Sequence, residues 1–115
     1  MKQYYHLDVY KSSYKLLILI YQNLSKLNKE YKYTVGEKIK DKSFEILLNI
    51  YKISRHSKRD QIFENTFDNL EIIRLSIRLL RDLNVLNDKK FAILNLQIED
   101  VLEQFTKWHK FESKK

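Results

Sequence analysis

Apolar residues recur along this chain at helical spacing in four segments, and three of these carry two apolar stripes rather than one. In the first segment, 8–28, Val9, Ser13, Leu16, Ile20, Leu24 and Leu27 share one face. Tyr10, Tyr14, Leu17 and Tyr21 form a second, while Lys11, Lys15, Gln22 and Lys26 make a basic, polar side. Asp8 is placed to cap the start, and residues 28–33 read as a loop. The second segment, 34–56, opens on Thr34-Val35-Gly36-Glu37, spaced as a capping box in which the Thr34 hydroxyl accepts from the Glu37 amide. Its front face holds Val35, Ile39, Ser43, Ile46, Ile50 and Ile53, and its back holds Phe44, Leu47, Leu48 and Tyr51. The third segment starts after Ser57, a second cap with Asp60 three residues on, and runs to about residue 83. Phe63, Thr66, Phe67, Leu70, Ile73, Ile77 and Leu80 face its core side, beside a shorter stripe of Ile72, Leu75 and Leu79. Asn84-Val85-Leu86 reads as a turn, and Asn87 caps the fourth segment, 88–111. That segment has a single stripe (Phe91, Leu94, Ile98, Leu102 and Phe105, with Val101 and Trp108 beside it). Gln97, Asp100, Glu103, Gln104 and Lys107 make its outer side.

Four helices of similar length on short loops predict an all-α, antiparallel up-down-up-down four-helix bundle, one domain over residues 1–115. Composition points the same way: with no Pro and one Gly, the chain lacks the turn residues that a strand-rich fold needs. An ordinary surface helix buries one stripe and solvates the rest. The second stripes therefore predict a partner surface made of Tyr10, Tyr14, Leu17, Tyr21, Phe44, Leu47, Leu48 and Tyr51. Tyrosine is enriched at subunit interfaces, so a second copy of the chain is the simplest occupant. The helix-one tyrosines, lying beside Lys11 and Lys15, could also stack nucleobases.

Little here suggests catalysis. There is no Cys, which removes thiolate ligands and nucleophiles. His6, His56 and His109 lack partners at metal-ligand spacing, so no metal and no cofactor is expected. Carboxylates alternate with cations, as in Glu71 with Arg74 and Arg78 with Asp82, which are intrahelical pair spacings. No phosphate loop surrounds the lone Gly36, and the chain reads as a non-enzyme with no evident small-molecule substrate. The longest apolar run, 16–21, is too short to span a membrane, and no leader segment is seen, so a cytoplasmic protein without a membrane partner is expected.

Charge changes the picture more. With 22 Lys+Arg against 15 Asp+Glu the net charge is +7, which favours phosphate backbones or simply a solvated surface. All five arginines fall between residues 55 and 81. Arg55, Lys58 and Arg59 cluster at the junction of the second and third segments; Arg74, Arg78 and Arg81 share a side of the third. The guanidinium fork suits phosphate, and these six form the candidate nucleic-acid site. The same residues could pair with Glu71, Asp82 or a neighbouring subunit, and sequence alone leaves both uses open.

Several stretches carry a family likeness: Leu7-Asp8-Val9-Tyr10-Lys11, then Tyr33-Thr34-Val35-Gly36-Glu37-Lys38-Ile39, then Phe44-Glu45-Ile46-Leu47-Leu48-Asn49-Ile50. A fourth is Arg78-Leu79-Leu80-Arg81-Asp82-Leu83-Asn84-Val85-Leu86-Asn87, followed at a distance by Trp108. In order and spacing these resemble the Avd-type four-helix-bundle proteins, the accessory variability determinants of diversity-generating retroelements, over roughly residues 7–111. A sister family is the bundle protein encoded in intervening sequences of bacterial 23S ribosomal RNA genes, whose second helix typically carries a Pro-containing run. The matching stretch here, Ile46-Leu47-Leu48-Asn49-Ile50-Tyr51-Lys52, has neither Pro nor Gly, which favours the Avd likeness. The resemblance implies a homopentameric barrel of basic bundles in a bacterial, archaeal or phage-encoded setting. It also implies partners: RNA or DNA and the retroelement's reverse transcriptase, in mutagenic retrohoming. The alternatives are an intervening-sequence-type oligomeric bundle of unknown role and a purely structural interaction module.

Overall fold

A computed structural model describes Tyr4, residues 7–55 and residues 58–113, and within them the chain is helical. The elements are α1 (Asp8–Asn23), α2 (Lys29–Lys32), α3 (Val35–Ile53), α4 (Asp60–Asp82) and α5 (Asp88–Ser113). The four long helices form a bundle about 45 Å long in which α1 packs on α3 and α5, and α4 on α3 and α5. Cross-helix partners run in opposite order along α3 and α4: Asn49 meets Thr66 and Glu45 meets Asn69. The same holds for α4 and α5, where Asp60 lies by His109 and Arg74 by Glu99. Neighbouring helices are therefore antiparallel, as expected for short connections.

The core follows the first stripe of each segment. Ile20, Ile39, Ile46, Ile50, Ile53, Phe63, Ile73, Ile77, Leu80, Leu94, Ile98 and Phe105 are all fully or almost fully buried. Closing an aliphatic core of this kind is the main drive to fold, at roughly 1.5–3 kcal/mol per large side chain. One end of the bundle is aromatic: the Phe63 ring lies 6.5 Å from Phe105 and 5.4 Å from Trp108, both edge-on.

Several local expectations are corrected. Helix α1 stops at Asn23 rather than at 28, and 28–33 contains the one-turn helix α2 instead of a plain loop. The Thr34–Glu37 capping box does not form; the Thr34 hydroxyl donates to the Glu30 carbonyl at 2.6 Å. Helix α2 places that carbonyl within reach, and a local side-chain bond to the backbone outcompetes the cap. Gly36 allows this close approach: a Cβ there would lie 3.0 Å from the Tyr31 carbonyl oxygen. Asp8 lies in the first turn of α1, with Leu7 at the N-cap position. Ser57, expected to cap α4, lies outside the described residues, and the cap position is taken by Arg59. The Asn87 cap is present: its Oδ1 accepts from the Lys90 amide at 2.8 Å. The turn at 84–86 has a defined mechanism. Asn84 adopts φ +61°, the Asn84 amide donates to the Arg81 carbonyl and the Val85 amide to that of Leu80. This is a Schellman closure with Asn in the place usually held by Gly.

The expected polar outer side of α5 is also corrected in part. Gln97 is buried, and its amide donates to the Ser12 carbonyl at 2.8 Å. The Ser12 hydroxyl donates to Asp100, so two residues assigned to the outside bind α5 to α1. Conversely, Leu96 is 74% exposed, so α5 is not free of outward apolar surface.

Candidate oligomer and nucleic-acid interfaces

Helical spacing places Tyr10, Tyr14 and Leu17 on the side of α1 that faces α3, at i, i+4 and i+7. On α3 the same rule brings Phe44, Leu47, Leu48 and Tyr51 toward α1. The two stripes converge on one open apolar groove of about 590 Å³ between the helices. Leu17 is buried at its floor, while Phe44 and Leu48 are 56% and 49% exposed at its rim. Tyr10 stacks on Tyr14 with centroids 6.0 Å apart.

One groove residue lay outside the stripes read from the sequence. Tyr4 lies edge-on to Tyr10 at 5.4 Å and to Tyr51 at 5.5 Å, bridging the two helices at the groove's end. Its position before the first periodic segment gave no signal. Tyr21 was expected with the others but does not line the groove. The Lys40 ammonium sits 4.7 Å above its ring, a cation–π contact that occupies its face.

A second apolar surface lies on α4, where Leu75, Leu79 and Leu83 are each about half exposed. This stripe lies on a different helix from those that line the α1–α3 groove. The bundle thus presents two different apolar faces.

The six candidate cations do not gather into one site. Arg55, Lys58 and Arg59 lie at the end of the bundle where α3 passes to α4, and Arg81 lies near the opposite end of α4, about 33 Å along the helix from Arg59. Arg55 lies over the Tyr51 ring at 5.3 Å and donates to its hydroxyl. Arg59 donates to Glu112, tying the start of α4 to the end of α5. Arg74 bridges Glu99 at 2.9 Å and Glu71 at 3.7 Å. Arg81 lies 4.2 Å over the Phe91 ring and 3.5 Å from Asp82. Arg78 and Lys58 are exposed, with no side-chain hydrogen bond or ion pair among the described residues. His56, the remaining member of the junction cluster, lies outside the described residues.

The arrangement is a short run of three arginines on the second half of α4, of which Arg74 and Arg81 are paired with carboxylates and Arg78 is not. Exposed Lys11 and Lys15 add charge on α1 beside half-exposed Tyr14. Elsewhere, Lys107 titrates above the usual lysine range because Glu103, one turn earlier, accepts its hydrogen bond and stabilises its charge. Among the described residues no three His, Asp or Glu side chains gather as a metal site requires, and no helix is long and apolar enough to cross a membrane. No family model and no curated protein matches the sequence.

Proposed function

We propose that this chain is a non-catalytic, self-associating accessory bundle of a diversity-generating retroelement that holds nucleic acid for a reverse transcriptase. The observation that carries self-association is the α1–α3 groove, an open aromatic and aliphatic surface beside a buried aliphatic core. Exposed apolar surface of this kind on a small helical domain favours a protein partner. The leucine stripe of α4 supplies a second, different face. Two unlike faces on one protomer generate head-to-tail contacts, which close into rings when the rotation permits. A homopentameric barrel, as the Avd likeness implies, is one such ring.

The net charge of +7 and the exposed, unpaired Lys58 and Arg78 support the nucleic-acid role. Several equivalent copies of a weak basic stripe in one ring would bind a strand far more tightly than one copy, because the second contact is intramolecular. Light scattering tests the assembly: a defined oligomer is expected, and a monomer at micromolar concentration overturns it. Co-purification with a reverse transcriptase encoded beside the gene tests the partner. For the strand, Arg74→Ala with Arg78→Ala is expected to weaken RNA binding and flatten its salt dependence. Unchanged binding across a salt titration would remove α4 from the interface.

A further inference from the structure

The end of the bundle where α1 passes to α2 and α4 passes to α5 holds a second cavity of about 590 Å³, unlike the groove in chemistry. Three cations line it, Lys26, Arg81 and Lys90, against one carboxylate, Asp88. Arg81 is held in place from behind, its guanidinium resting on the Phe91 ring with Asp82 beside it. Four asparagines, Asn23, Asn28, Asn84 and Asn87, line the same cavity. Their carboxamides are largely unspent. Asn23 uses only its NH₂ group, on the Leu19 carbonyl, and Asn87 only its oxygen, on the Lys90 amide. The side chains of Asn28 and Asn84 have no hydrogen-bond partner among the described residues. Leu27 and Val85 add apolar wall.

Each feature limits the ligand. Three cations against two carboxylates, Asp88 in the lining and Asp82 beside Arg81, leave a net positive charge that favours an anion, and phosphate is the anion that lysine and arginine hold best. Carboxamides offer a donor and an acceptor side by side, the complement of a nucleobase edge. A cavity of this volume exceeds what a bare phosphate fills and falls in the range of small-ligand sites. We propose that this cleft binds a nucleoside phosphate, with Lys26, Arg81 and Lys90 on the phosphate and the asparagine carboxamides on the base. The same chemistry is carried by a free mononucleotide and by the 5′-phosphorylated end of a strand.

The site shares only Arg81 with the cation stripe of α4, so it can be tested apart from the proposed function. Amide and carboxamide resonances of the full chain would be followed while adding a nucleoside monophosphate, the matching nucleoside, or inorganic phosphate. Shifts centred on Asn84 and Asn87 at a lower concentration of nucleotide than of either fragment are expected. Equal response to inorganic phosphate, or no shift at millimolar nucleotide, overturns the proposal. Short oligonucleotides with and without a 5′-phosphate separate the two sources. If only the phosphorylated strand competes with the nucleotide, a strand end is the ligand; if neither competes, it is the free nucleotide. Lys26→Ala with Lys90→Ala removes no backbone contact, and is expected to weaken nucleotide binding by at least about tenfold with the helical circular dichroism unchanged. Loss of nucleotide binding in that variant with long-RNA binding retained would separate the cleft from the stripe. Unchanged nucleotide affinity would show that Lys26 and Lys90 are not phosphate ligands and would overturn the proposed site.

Discussion

The seam between α3 and α4 and the seam between α1 and α3 are built from the same helix, yet one is closed and the other open. Facing α4, α3 presents Asn49, whose amide donates to Asn65 and to Thr66, each at 2.9 Å, and Glu45, which accepts from Asn69. This ladder is buried at Asn49, Thr66 and Asn69, so it is satisfied only when the two helices are in one register. Facing α1, α3 presents Phe44, Leu47, Leu48 and Tyr51, and the seam widens into the groove. Buried polar groups specify a partner because leaving them unpaired is costly, whereas aromatic and aliphatic surface accepts any well-shaped apolar partner. The chain uses the first device to hold its own bundle and leaves the second exposed at the groove.

The largest test of this contrast is to place charge on the open seam. Phe44→Glu with Leu48→Glu removes two side chains whose burial is worth about 1.5–3 kcal/mol each and puts carboxylates in their place. Self-association should weaken by at least about a hundredfold, seen by light scattering, while the thermal midpoint of the protomer barely moves, since exposed positions away from special features change stability by about 0.5 kcal/mol or less. An oligomer that persists unchanged would assign the groove to something other than a second copy. On the closed seam the expected result is the reverse. Asn49→Ala removes two hydrogen bonds of a buried amide, each worth about 0.5–1.5 kcal/mol, while Thr66 keeps the Ile62 carbonyl and Asn65 keeps Asn69. The loss should be about 1–3 kcal/mol of stability, with a melting point lower by several degrees and no change in oligomeric state beyond that loss. If Asn49→Ala dissociates the assembly at temperatures where the bundle stays folded, the ladder would belong to the interface as well.

The open seam was legible in the sequence and the closed one was not. Period alone placed Tyr10, Tyr14, Phe44 and Leu48 on second stripes, because a large apolar residue off the core face gains nothing from water and stands out against a polar surface. Asn49 and Gln97 lie on the flanks of their core stripes, where a polar residue is equally at home in water or in a seam. Which of the two applies depends on the residue opposite, and that is tertiary information. The same limit governs the cations: sequence set Arg59 with Arg55 and Lys58 and Arg74 with Arg78 and Arg81, while Glu112 and Glu99 reach Arg59 and Arg74 from a different helix. Tyr4 shows the complementary failure, a contact residue outside any periodic segment. The four long helices and their order were readable, the one-turn helix α2 was not, and the ends were set by local competition, as at Thr34, or by backbone closure, as at Asn84.

The polar latch of α1 on α5 offers the finest test, because it resembles the α3–α4 ladder but sits nearer to solvent. Ser12 gives its hydroxyl to Asp100, and Gln97 donates to both the Ser12 carbonyl at 2.8 Å and the hydroxyl at 3.1 Å. In Ser12→Ala the Gln97 amide keeps the stronger backbone bond. Asp100 is exposed, keeps Gln104 at 3.2 Å and can turn to water. Neither partner is therefore left buried and unpaired, so the cost should be that of an ordinary hydrogen bond, about 0.5–1.5 kcal/mol by denaturant titration. The comparison with Asn49→Ala then isolates what burial adds to a polar contact between helices. Equal losses at the two positions would mean that the α1–α5 seam is sealed as tightly as α3–α4, and that the groove, rather than solvent access in general, is what distinguishes the third seam.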